Sequence, residues 1–518
     1  FALWDTRTSK LTLARDPAGI KPLYFSQTRA GVVFASEMKS LLQSSNVDRA
    51  LDPIAVLQTL TYLWSPGPRT VLAAVEKLQP GGWLELQEGA ISAAGRIQPK
   101  RPARNGVSDA LSHAVHDQSV ADVPVGAFLS GGVDSTAIVA LARRENPSIE
   151  CFTIGTSRNS DGFESDLPYA KLAANKLGVK LHIADVSTDL TDHLDFMLYH
   201  LDEPQADLAP LQVYLIAETA RSLGVKVLLS GAGGDDLFGG YRRHAAVSLE
   251  RHWQWLPVSA RTVIGSSAGR APVGRPWGRR VQRAFSNAAL DQDVRAVSYL
   301  HWISNSDAMN LLSSGFKDQL NERLIDSGTL GVFREQPPTS TNLSRLLAVD
   351  ERYFLVDHNL NYTDKMSMAT GVEVRVPFLD DRVVDVAHRL SDRQLVRNGQ
   401  TKVALREAFK GIVPKEILER PKVGFGVPLR EWLTGPLEPW IQEQLAPTTL
   451  ERRGIFNPQA VDNLLSANRR GTVDASYPLL SIALIERWMQ LFVDEVPGSH
   501  GTPVAPHQVP NTFGPHCS

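Results

Sequence analysis

The sequence predicts an α/β protein with a doubly wound parallel sheet, preceded by the C-terminal part of an α+β domain. Between residues 123 and 229, short apolar stretches typical of buried strands alternate with stretches of helical spacing, and this order favours parallel strands. Two glycine-rich turns each follow one of these strands. Since ligands of doubly wound sheets bind beyond the carboxyl ends of the strands, the two turns are the first candidates for a functional site.

The first 95 residues have the pattern of antiparallel strands. Residues 1–5 and 10–14 are strand-like and joined by a polar turn, which predicts a hairpin. Because Phe1 already lies within such a strand, we expect this domain to be truncated at its N-terminus. The domain prediction is residues 1–95, a polar linker over 96–108, a second domain over 109–493, and a disordered tail over 494–518.

Composition narrows the functional class. The chain has 518 residues, 43% hydrophobic and 21% charged, with 54 basic against 56 acidic side chains. This balance predicts neither a nucleic-acid nor a membrane partner. The two cysteines, Cys151 and Cys517, form neither a disulfide framework nor a metal-ligand set, and the sequence has no long apolar span. A cytoplasmic enzyme is the simplest interpretation.

The first glycine-rich turn, residues 129–136, lies between an apolar strand and a helical pattern. Its backbone N–H groups and the positive end of the helix favour an anion, and its glycines allow phosphate oxygens to approach the main chain. Asp134 would repel phosphate unless Mg²⁺ lay between them. An ordinary strand-to-helix turn is the alternative. The residues predicted to bind the nucleotide here are Leu129, Ser130, Gly131, Gly132, Asp134 and Ser135, with Thr136 as a further hydroxyl donor.

Other nucleotide motifs fit poorly. A Walker A loop requires a Gly-Lys pair, which does not occur in the chain, and the second glycine-rich turn has Asp236 where a G-x-G-x-x-G motif requires glycine. By contrast, the S-G-G-x-D-S string at 130–135 is similar to the PP-loop of ATP pyrophosphatases, which cleave ATP between its α and β phosphates. The resemblance implies ATP and Mg²⁺.

The second glycine-rich turn, residues 230–241, contains Asp235 and Asp236. In the predicted sheet an acidic residue of this turn can face Asp134 across the crevice between strands, so we predict a Mg²⁺ site at Asp134 and Asp235. The alternative is that the two acidic residues cap a helix or face solvent.

Several ordered motifs resemble the glutamine-hydrolysing asparagine synthetases, from Phe1 to about Phe492. Residues 14–24, 32–39 and 77–82 are similar to the second half of that family's class II glutaminase domain, and 230–241, 364–369 and 371–380 to its synthetase domain. Departures from the family pattern lie at Pro17, Ala18, Lys365, Ala232 and Asp236. Ala232 stands where those enzymes usually have a glutamate important for forming the acyl-adenylate.

The resemblance implies a carbon–nitrogen ligase that amidates the aspartate side chain. The carboxylate attacks the α-phosphate of ATP, pyrophosphate leaves, and ammonia displaces AMP from the acyl-adenylate. Lys422 matches the family's catalytic lysine and would stabilise developing negative charge, although a surface lysine is the alternative. Asp236 is the second predicted catalytic residue. The backbone around Leu129 and Ile154, with Ser230 and Gly231, is expected to hold the adenosine end.

Three further interpretations stay open. With Phe1 in place of the family's N-terminal cysteine, the chain is expected to use free ammonia rather than glutamine. Because of Ala232, the acceptor could instead be a sugar, peptide or cell-wall precursor carboxylate. A non-catalytic binding subunit is the hypothesis from another class, and a homodimer is the assembly to be tested.

Other segments carry weaker predictions. Residues 201–207 resemble the family's D-E-P segment near the substrate pocket, or form an acidic loop that caps the next helix. Glu373 and Arg375 either bind substrate or form a buried ion pair, and the ion pair is favoured. Residues 247–346 are expected to form a helical layer in which the basic run over 270–283 is a solvated face.

Overall fold

Two small antiparallel sheets form the N-terminal part of the protein. The computed structural model describes residues 1–97, 106–155, 166–185, 191–271, 276–321, 324–420 and 429–494. The sheets have the strand orders β1-β2-β6-β7 and β4-β3-β5, and the predicted hairpin between the first two strands is confirmed. The elements are β1 (Ala2–Asp5), β2 (Lys10–Ala14), β3 (Tyr24–Thr28), β4 (Gly31–Ala35), α1 (Met38–Leu41), α2 (Pro53–Tyr62), β5 (Glu76–Lys77), β6 (Gly82–Gln87) and β7 (Ala90–Arg96).

A five-stranded parallel sheet forms the centre of the second part, with the order β10-β9-β8-β11-β12. The predicted doubly wound α/β fold is thereby confirmed. The order of the strands reverses beside β8, because the chain moves outward from β8 to β10 and then returns to its other side at β11. The elements are α3 (Val107–Ser119), β8 (Val125–Phe128), α4 (Val133–Glu145), β9 (Glu150–Gly155), α5 (Leu167–Leu177), β10 (Lys180–Asp185), α6 (Thr191–Leu201), α7 (Ala209–Ser222) and β11 (Val227–Leu229).

The predicted helical layer follows the second turn. It contains α8 (Gly234–Leu237), α9 (Arg242–Glu250), α10 (Val258–Gly269), α11 (Pro276–Phe285), α12 (Gln292–Ser298), α13 (Asn305–Asn310), α14 (Ser314–Lys317), α15 (Ser327–Glu335) and α16 (Asn342–Val349). A π-helix (Asp350–Leu360) then continues into α17 (Asn361–Met368). The basic run over 270–283 is helical from Pro276, and residues 272–275 lie outside the described part.

The chain then returns to the sheet and ends in helices. The remaining elements are β12 (Glu373–Arg375), a 3-10 helix (Pro377–Leu379), α18 (Asp381–His388), α19 (Asp392–Leu395), β13 (Val396–Arg397), β14 (Gln400–Thr401), α20 (Val403–Ala408), α21 (Lys415–Leu418), α22 (Leu429–Leu433), α23 (Glu438–Gln444), α24 (Pro447–Arg453), α25 (Pro458–Arg469), α26 (Ser476–Met489) and a π-helix (Gln490–Asp494).

Two large apolar cores support these layers. One surrounds the parallel sheet. The other combines α2 from the N-terminal part with the C-terminal helix α26, and the Ser481 hydroxyl donates to the Thr59 carbonyl across this contact. Asp52 fixes the start of α2, because its side chain accepts from the N–H groups of Ile54 and Ala55. The N-terminal part is thus packed firmly onto the helical layer.

In the part of the chain that the structure describes, none of the helices has the length and hydrophobicity of a transmembrane span.

Candidate active site

The two glycine-rich turns lie side by side at the carboxyl edge of the parallel sheet. Strands β8 and β11 are direct neighbours, so the first turn (129–136) and the second turn (230–241) meet where the strand order reverses. Glycines permit the contact. A Cβ added at Gly231 would lie 3.0 Å from the Asp134 Cβ, and one at Gly234 would lie 2.7 Å from the Asp134 Cγ. Asp134 therefore lies directly against the second turn.

Lys402 joins the two predicted metal ligands. Its Nζ forms ion pairs with the carboxylates of Asp134 and, at 2.5 Å, Asp235. Only glycine fits at 240, since a Cβ there would lie 1.9 Å from Asp235 Oδ1 and 2.2 Å from Lys402 Cε. Burial by itself lowers the pKa of Lys402, but the carboxylates of Asp134 and Asp235 raise it, and the net direction is upward. A charged ammonium thus neutralises part of the negative charge between the turns.

Lys402 was not among the residues predicted from the sequence. The structure has β14 up to Thr401, Lys402 in a left-handed conformation with φ +57°, and α20 from Val403. That conformation is unfavourable for lysine, and here the two ion pairs accompany it. No local sequence pattern indicates such a residue, because its partners are 268 and 167 positions away.

Asp134 and Asp235 fit the chemistry of a magnesium site. Both carboxylates converge on the Lys402 ammonium, so a positive ion is accommodated between them. Mg²⁺ binds carboxylate oxygens together with phosphate oxygens and water. Among the residues that the structure describes, no group of three or more His, Cys, Asp or Glu side chains could hold a metal. This geometry supports a site in which the protein supplies two carboxylates, while the nucleotide and water supply the other ligands.

Asp236 has a different environment from Asp235. It is 1% exposed and accepts a hydrogen bond from the Tyr241 hydroxyl at 3.2 Å, and that hydroxyl in turn accepts from Asn359 Nδ2 at 3.0 Å. Burial raises the pKa of Asp236 to about 8, and the nearby Asp350 and Asp235 carboxylates add to this rise. The structure thus places Asp236 within the buried support of the second turn. Its predicted catalytic role stays a prediction.

The hydroxyl groups of the first turn contact one another. Ser135 Oγ accepts from the Ser130 N–H at 3.2 Å and lies 3.1 Å from Ser130 Oγ. Thr136, predicted to be a further donor, is completely buried, so its hydroxyl is not accessible to an approaching phosphate. This corrects that prediction, because the side chain faces the core beneath α4.

The two glycines of the first turn have different surroundings. Gly131 has φ +69°, and a Cβ there would lie 2.3 Å from the Tyr169 carbonyl carbon. Glycine is therefore required here for packing against α5, and the predicted contact of Gly131 with the nucleotide stays a prediction. At Gly132 the nearest neighbour of an added Cβ is Ser130 Oγ at 3.4 Å. An added Cβ at Gly132 would thus meet only a side-chain oxygen of the same turn, and the predicted role of Gly132 in nucleotide binding stays a prediction.

The residues predicted to hold the adenosine end lie at strand ends. The Leu129 N–H donates to the Phe152 carbonyl at 2.8 Å, which ties the end of β8 to β9. Ile154 is half-buried near the end of β9. The Ser230 N–H donates to the Arg375 carbonyl at 2.8 Å, which anchors the second turn to β12.

Arg420 is a second residue that was not predicted from the sequence. Its Nη1 donates to the Gly131 carbonyl at 3.1 Å, its guanidinium also pairs with Asp166, and it lies 4.0 Å from the centre of the Tyr169 ring. Arg420 therefore fixes the first turn from the C-terminal side. Lys422, the predicted catalytic lysine, lies outside the described residues.

The D-E-P segment contacts the N-terminal part of the chain. Asp202 is completely buried and forms ion pairs with Lys39, at 3.1 Å, and with Lys365. Glu203 pairs with Lys77 at 2.8 Å. The expectation that this segment faces the substrate pocket is thus not met by these two carboxylates, because both are engaged between the two parts of the chain. Asp207 accepts from the Ala209 N–H at 3.0 Å just before α7, but the N-cap residue of this helix is Leu208, so the predicted acidic cap is not formed.

Glu373 and Arg375 form the favoured ion pair, at 3.2 Å, but the pair is not buried, since the Glu373 side chain is 44% exposed. Arg375 Nη1 also donates to the carbonyls of Gln118 at 2.9 Å and Val120 at 2.7 Å. These contacts connect β12 to the end of α3 and give Arg375 a structural role.

Comparison with known proteins identifies the family. Residues 106–490 match the family described as Asparagine synthase, and residues 1–96 match the Glutamine amidotransferase domain. The chain belongs to the asparagine synthase family. The predicted class, a carbon–nitrogen ligase of the asparagine synthase type, agrees with this membership.

Individual relatives cover most of the chain. Asparagine synthetase [glutamine-hydrolyzing] 1 of Bacillus subtilis is 30% identical over 510 residues, covering 96% of this chain and 77% of the relative. A Mycobacterium tuberculosis protein provisionally named asparagine synthetase [glutamine-hydrolyzing] is 34% identical over 513 residues, covering 95% and 76%. Amidase chyE of Penicillium rubens is 26% identical over 510 residues, covering 88% and 73%. Relatives of this chain thus carry more than one functional name.

Proposed function

We propose that this protein amidates the side-chain carboxylate of aspartate, with ATP as the energy source and an acyl-adenylate as the intermediate. The observation that carries the proposal is the convergence of Asp134 and Asp235 on Lys402 at the point of strand reversal. This point is where doubly wound sheets bind nucleotides.

The proposed reaction has two steps. A carboxylate oxygen of the acceptor attacks the α-phosphorus of ATP, the bond to the β-phosphate oxygen breaks, and pyrophosphate leaves. The nitrogen of ammonia then attacks the acyl carbon, AMP leaves with the electron pair of the broken C–O bond, and the nitrogen loses a proton as the amide forms.

This chain's residues position the nucleotide. The main chain at Gly132 and the N-terminal end of α4 would receive phosphate oxygens, and Arg420 fixes the conformation of that turn. Asp134 and Asp235 would hold Mg²⁺, which neutralises charge on the leaving pyrophosphate. We propose that Lys422, two residues after Arg420, stabilises negative charge on the acyl oxygen. Asp236 supports the second turn and is retained as a candidate catalytic residue.

The remaining predictions enter as parts of the proposal. We propose the division into residues 1–95, 96–108, 109–493 and 494–518, and the two matched family regions, 1–96 and 106–490, support a boundary close to residue 100. We propose a cytoplasmic enzyme that uses ATP, Mg²⁺, aspartate and ammonia, with glutamine as a possible amide donor, and that forms a homodimer. The two parts of the chain share an apolar core.

A second candidate function is amidation of another carboxylate. Ala232 favours it, because its methyl group cannot make the contacts of the glutamate usual in the synthetases, and its N–H donates only within the turn, to Ser230 Oγ at 3.2 Å. The amidase name of the fungal relatives is in keeping with a family whose acceptors differ.

Pyrophosphate release tests the proposal. The chain is incubated with ATP and Mg²⁺, with ammonium or glutamine as donor, and with aspartate or a panel of sugar, peptide and other carboxylic acids as acceptor. Asparagine formation with aspartate-dependent release supports the first candidate, and release with another acid alone supports the second. The absence of release with every acid, while ATP still binds, would favour a non-catalytic binding subunit.

A matched pair of variants shows whether release comes from the proposed site. Asp134→Asn is expected to lower the rate at least about 100-fold, since metal and nucleotide positioning are lost together. Asp318→Asn, an exposed aspartate at the end of α14, should leave the rate unchanged.

A further inference from the structure

All the charged side chains within residues 251–290 are positive. This stretch contains seven arginines and neither aspartate, glutamate nor lysine, in a chain whose formal net charge is only -2. The preceding Glu250 does not compensate, because it is 1% exposed and pairs with Arg295 at 3.0 Å. The stretch is thus a local concentration of positive charge.

Helices α10 and α11 of this positive stretch form a helical hairpin. A Cβ at Gly265 in α10 would lie 3.1 Å from the Ser286 carbonyl oxygen after α11, so the helices approach closely there. Gln282 Nε2 donates to the carbonyls of Gly269 at 3.1 Å and Ala271 at 2.8 Å, and Arg261 Nη1 donates to the Ala288 carbonyl at 2.9 Å. These contacts hold the hairpin in one arrangement.

Large apolar side chains project from the same hairpin. Trp255 is 74% exposed, Val258 57%, Val263 65% and Trp277 52%. On α10 the exposed positions lie together on one side, and the buried Gly265 lies on the other. We name the exposed set the hairpin face; it consists of Trp255, Val258, Thr262, Val263, Ser266, Arg270, Trp277 and Arg280.

We propose that the hairpin face docks onto a membrane surface rich in anionic phospholipid. Exposed tryptophan and valine can enter the boundary between headgroups and acyl chains, and arginines beside them can pair with lipid phosphates. No carboxylate within 251–290 opposes this contact. The contact is peripheral and requires no membrane-spanning helix. It differs from the sequence prediction, which was a solvated face and no membrane partner.

The charge and the apolar residues argue against other occupants. A second copy of the chain joined through this face by two-fold symmetry would bring arginines against arginines. Nucleic acid would satisfy the charge, but it offers no apolar environment for Val258 and Val263, which reach outward on α10.

Vesicle co-sedimentation of the full chain tests the proposal. Phosphatidylcholine vesicles are compared with vesicles that also contain phosphatidylglycerol, at low and high salt, and tryptophan fluorescence is recorded in parallel. The wild type should bind only the anionic vesicles, lose binding as salt rises, and show a blue-shifted emission when bound.

Two double variants locate the contact. Arg270→Gln with Arg280→Gln should lower the partition coefficient by about 30-fold, since each arginine near an anionic surface contributes about fivefold. Trp255→Ser with Trp277→Ser should weaken binding and remove the blue shift. The matched controls are Arg144→Gln with Arg393→Gln, and Trp4→Ser, which change exposed residues elsewhere.

The outcomes separate this proposal from the proposed function. Pyrophosphate release without lipid should be unchanged in all of these variants, which also shows that they fold. Failure to bind anionic vesicles, equal binding to neutral vesicles, or equal losses in the controls would overturn the proposal. Tight binding of single-stranded RNA in anisotropy measurements, with no binding of vesicles, would assign the face to nucleic acid instead.

Discussion

Replacing Lys402 with methionine should make the stability of this protein dependent on magnesium. The substitution keeps an unbranched side chain but removes the ammonium between Asp134 and Asp235. Removing one partner of a buried ion pair leaves an uncompensated buried charge and costs about 3–5 kcal/mol. Since Lys402 is 4% exposed and pairs with two carboxylates, the full range applies.

The expected size can be measured by thermal unfolding. For a large domain, about 1 kcal/mol corresponds to a change in Tm of about 2–4 °C, so Lys402→Met should lower the Tm in EDTA by about 6–20 °C. Magnesium should restore part of this loss, because a ligand at 100 times its Kd stabilises the native state by about 2.7 kcal/mol. The wild type should respond less to magnesium, because its lysine already neutralises the site.

Lys365→Met is the matched control. Lys365 is also 4% exposed and also pairs with a buried aspartate, Asp202, but its partner belongs to the contact between the two parts of the chain. This variant should lose a similar amount of stability and should not respond to magnesium. An unchanged Tm for Lys402→Met in EDTA, or a loss that magnesium restores equally in both variants, would refute the assignment of Asp134 and Asp235 as a cation site.

Three further predictions concern glycine packing, acid stability and thiol chemistry. Gly240→Ala should abolish pyrophosphate release and lower the Tm, because its Cβ would lie 1.9 Å from an Asp235 oxygen. The control Gly331→Ala should retain both the activity and the Tm, because no atom lies within 4 Å of its added Cβ. Equal behaviour of the two variants would contradict the packing argument. Burial raises the pKa of Asp202, but two lysines outweigh it, and the net direction is downward. The contribution of the Asp202 carboxylate to stability should therefore be present above the unfolded pKa of about 3.9 and be lost as pH falls through the lower folded pKa. In urea unfolding at pH 7, Asp202→Asn should have a lower free energy of unfolding than the wild type. This difference in free energy should shrink below about pH 4. Burial raises the pKa of the Cys151 thiol to about 12, so this thiol should be unreactive in the native protein. In a Cys517→Ser background, a thiol reagent at pH 8 should modify no thiol in the native protein and one thiol after denaturation. Rapid labelling of the native protein would contradict this prediction, because it would show that the core opens.

The sequence predicted the sheet and the meeting of the two turns because both depend on local patterns. Alternating apolar strands and helices specify a parallel sheet, and glycine-rich turns at strand ends identify its carboxyl edge. The close approach of Asp134 to the second turn follows from that topology. By contrast, Lys402 and Arg420 reach the turns from distant elements, and a left-handed lysine after a two-residue strand has no local signature.

A glycine-rich turn can be located from the sequence, but the neighbour that makes each glycine necessary cannot. A glycine string indicates that space is limited, but it does not show whether ligand or protein occupies that space. At Gly131 the neighbour is the backbone of α5, and at Gly234 it is the Asp134 side chain. Similarly, acidic residues near a predicted pocket indicate charge, yet Asp202 and Glu203 are matched by lysines of the N-terminal part.

The charge balance of the second turn explains how adjacent aspartates can have different roles. Asp235 forms an ion pair with Lys402, whereas Asp236 is buried and its pKa is raised to about 8. The raised pKa favours the protonated form of Asp236, and this form adds no like-charge repulsion to Asp235. The buried position of Asp236 therefore limits the negative charge between the turns to that of Asp134 and Asp235, an amount that one lysine partly neutralises and one Mg²⁺ ion would neutralise completely.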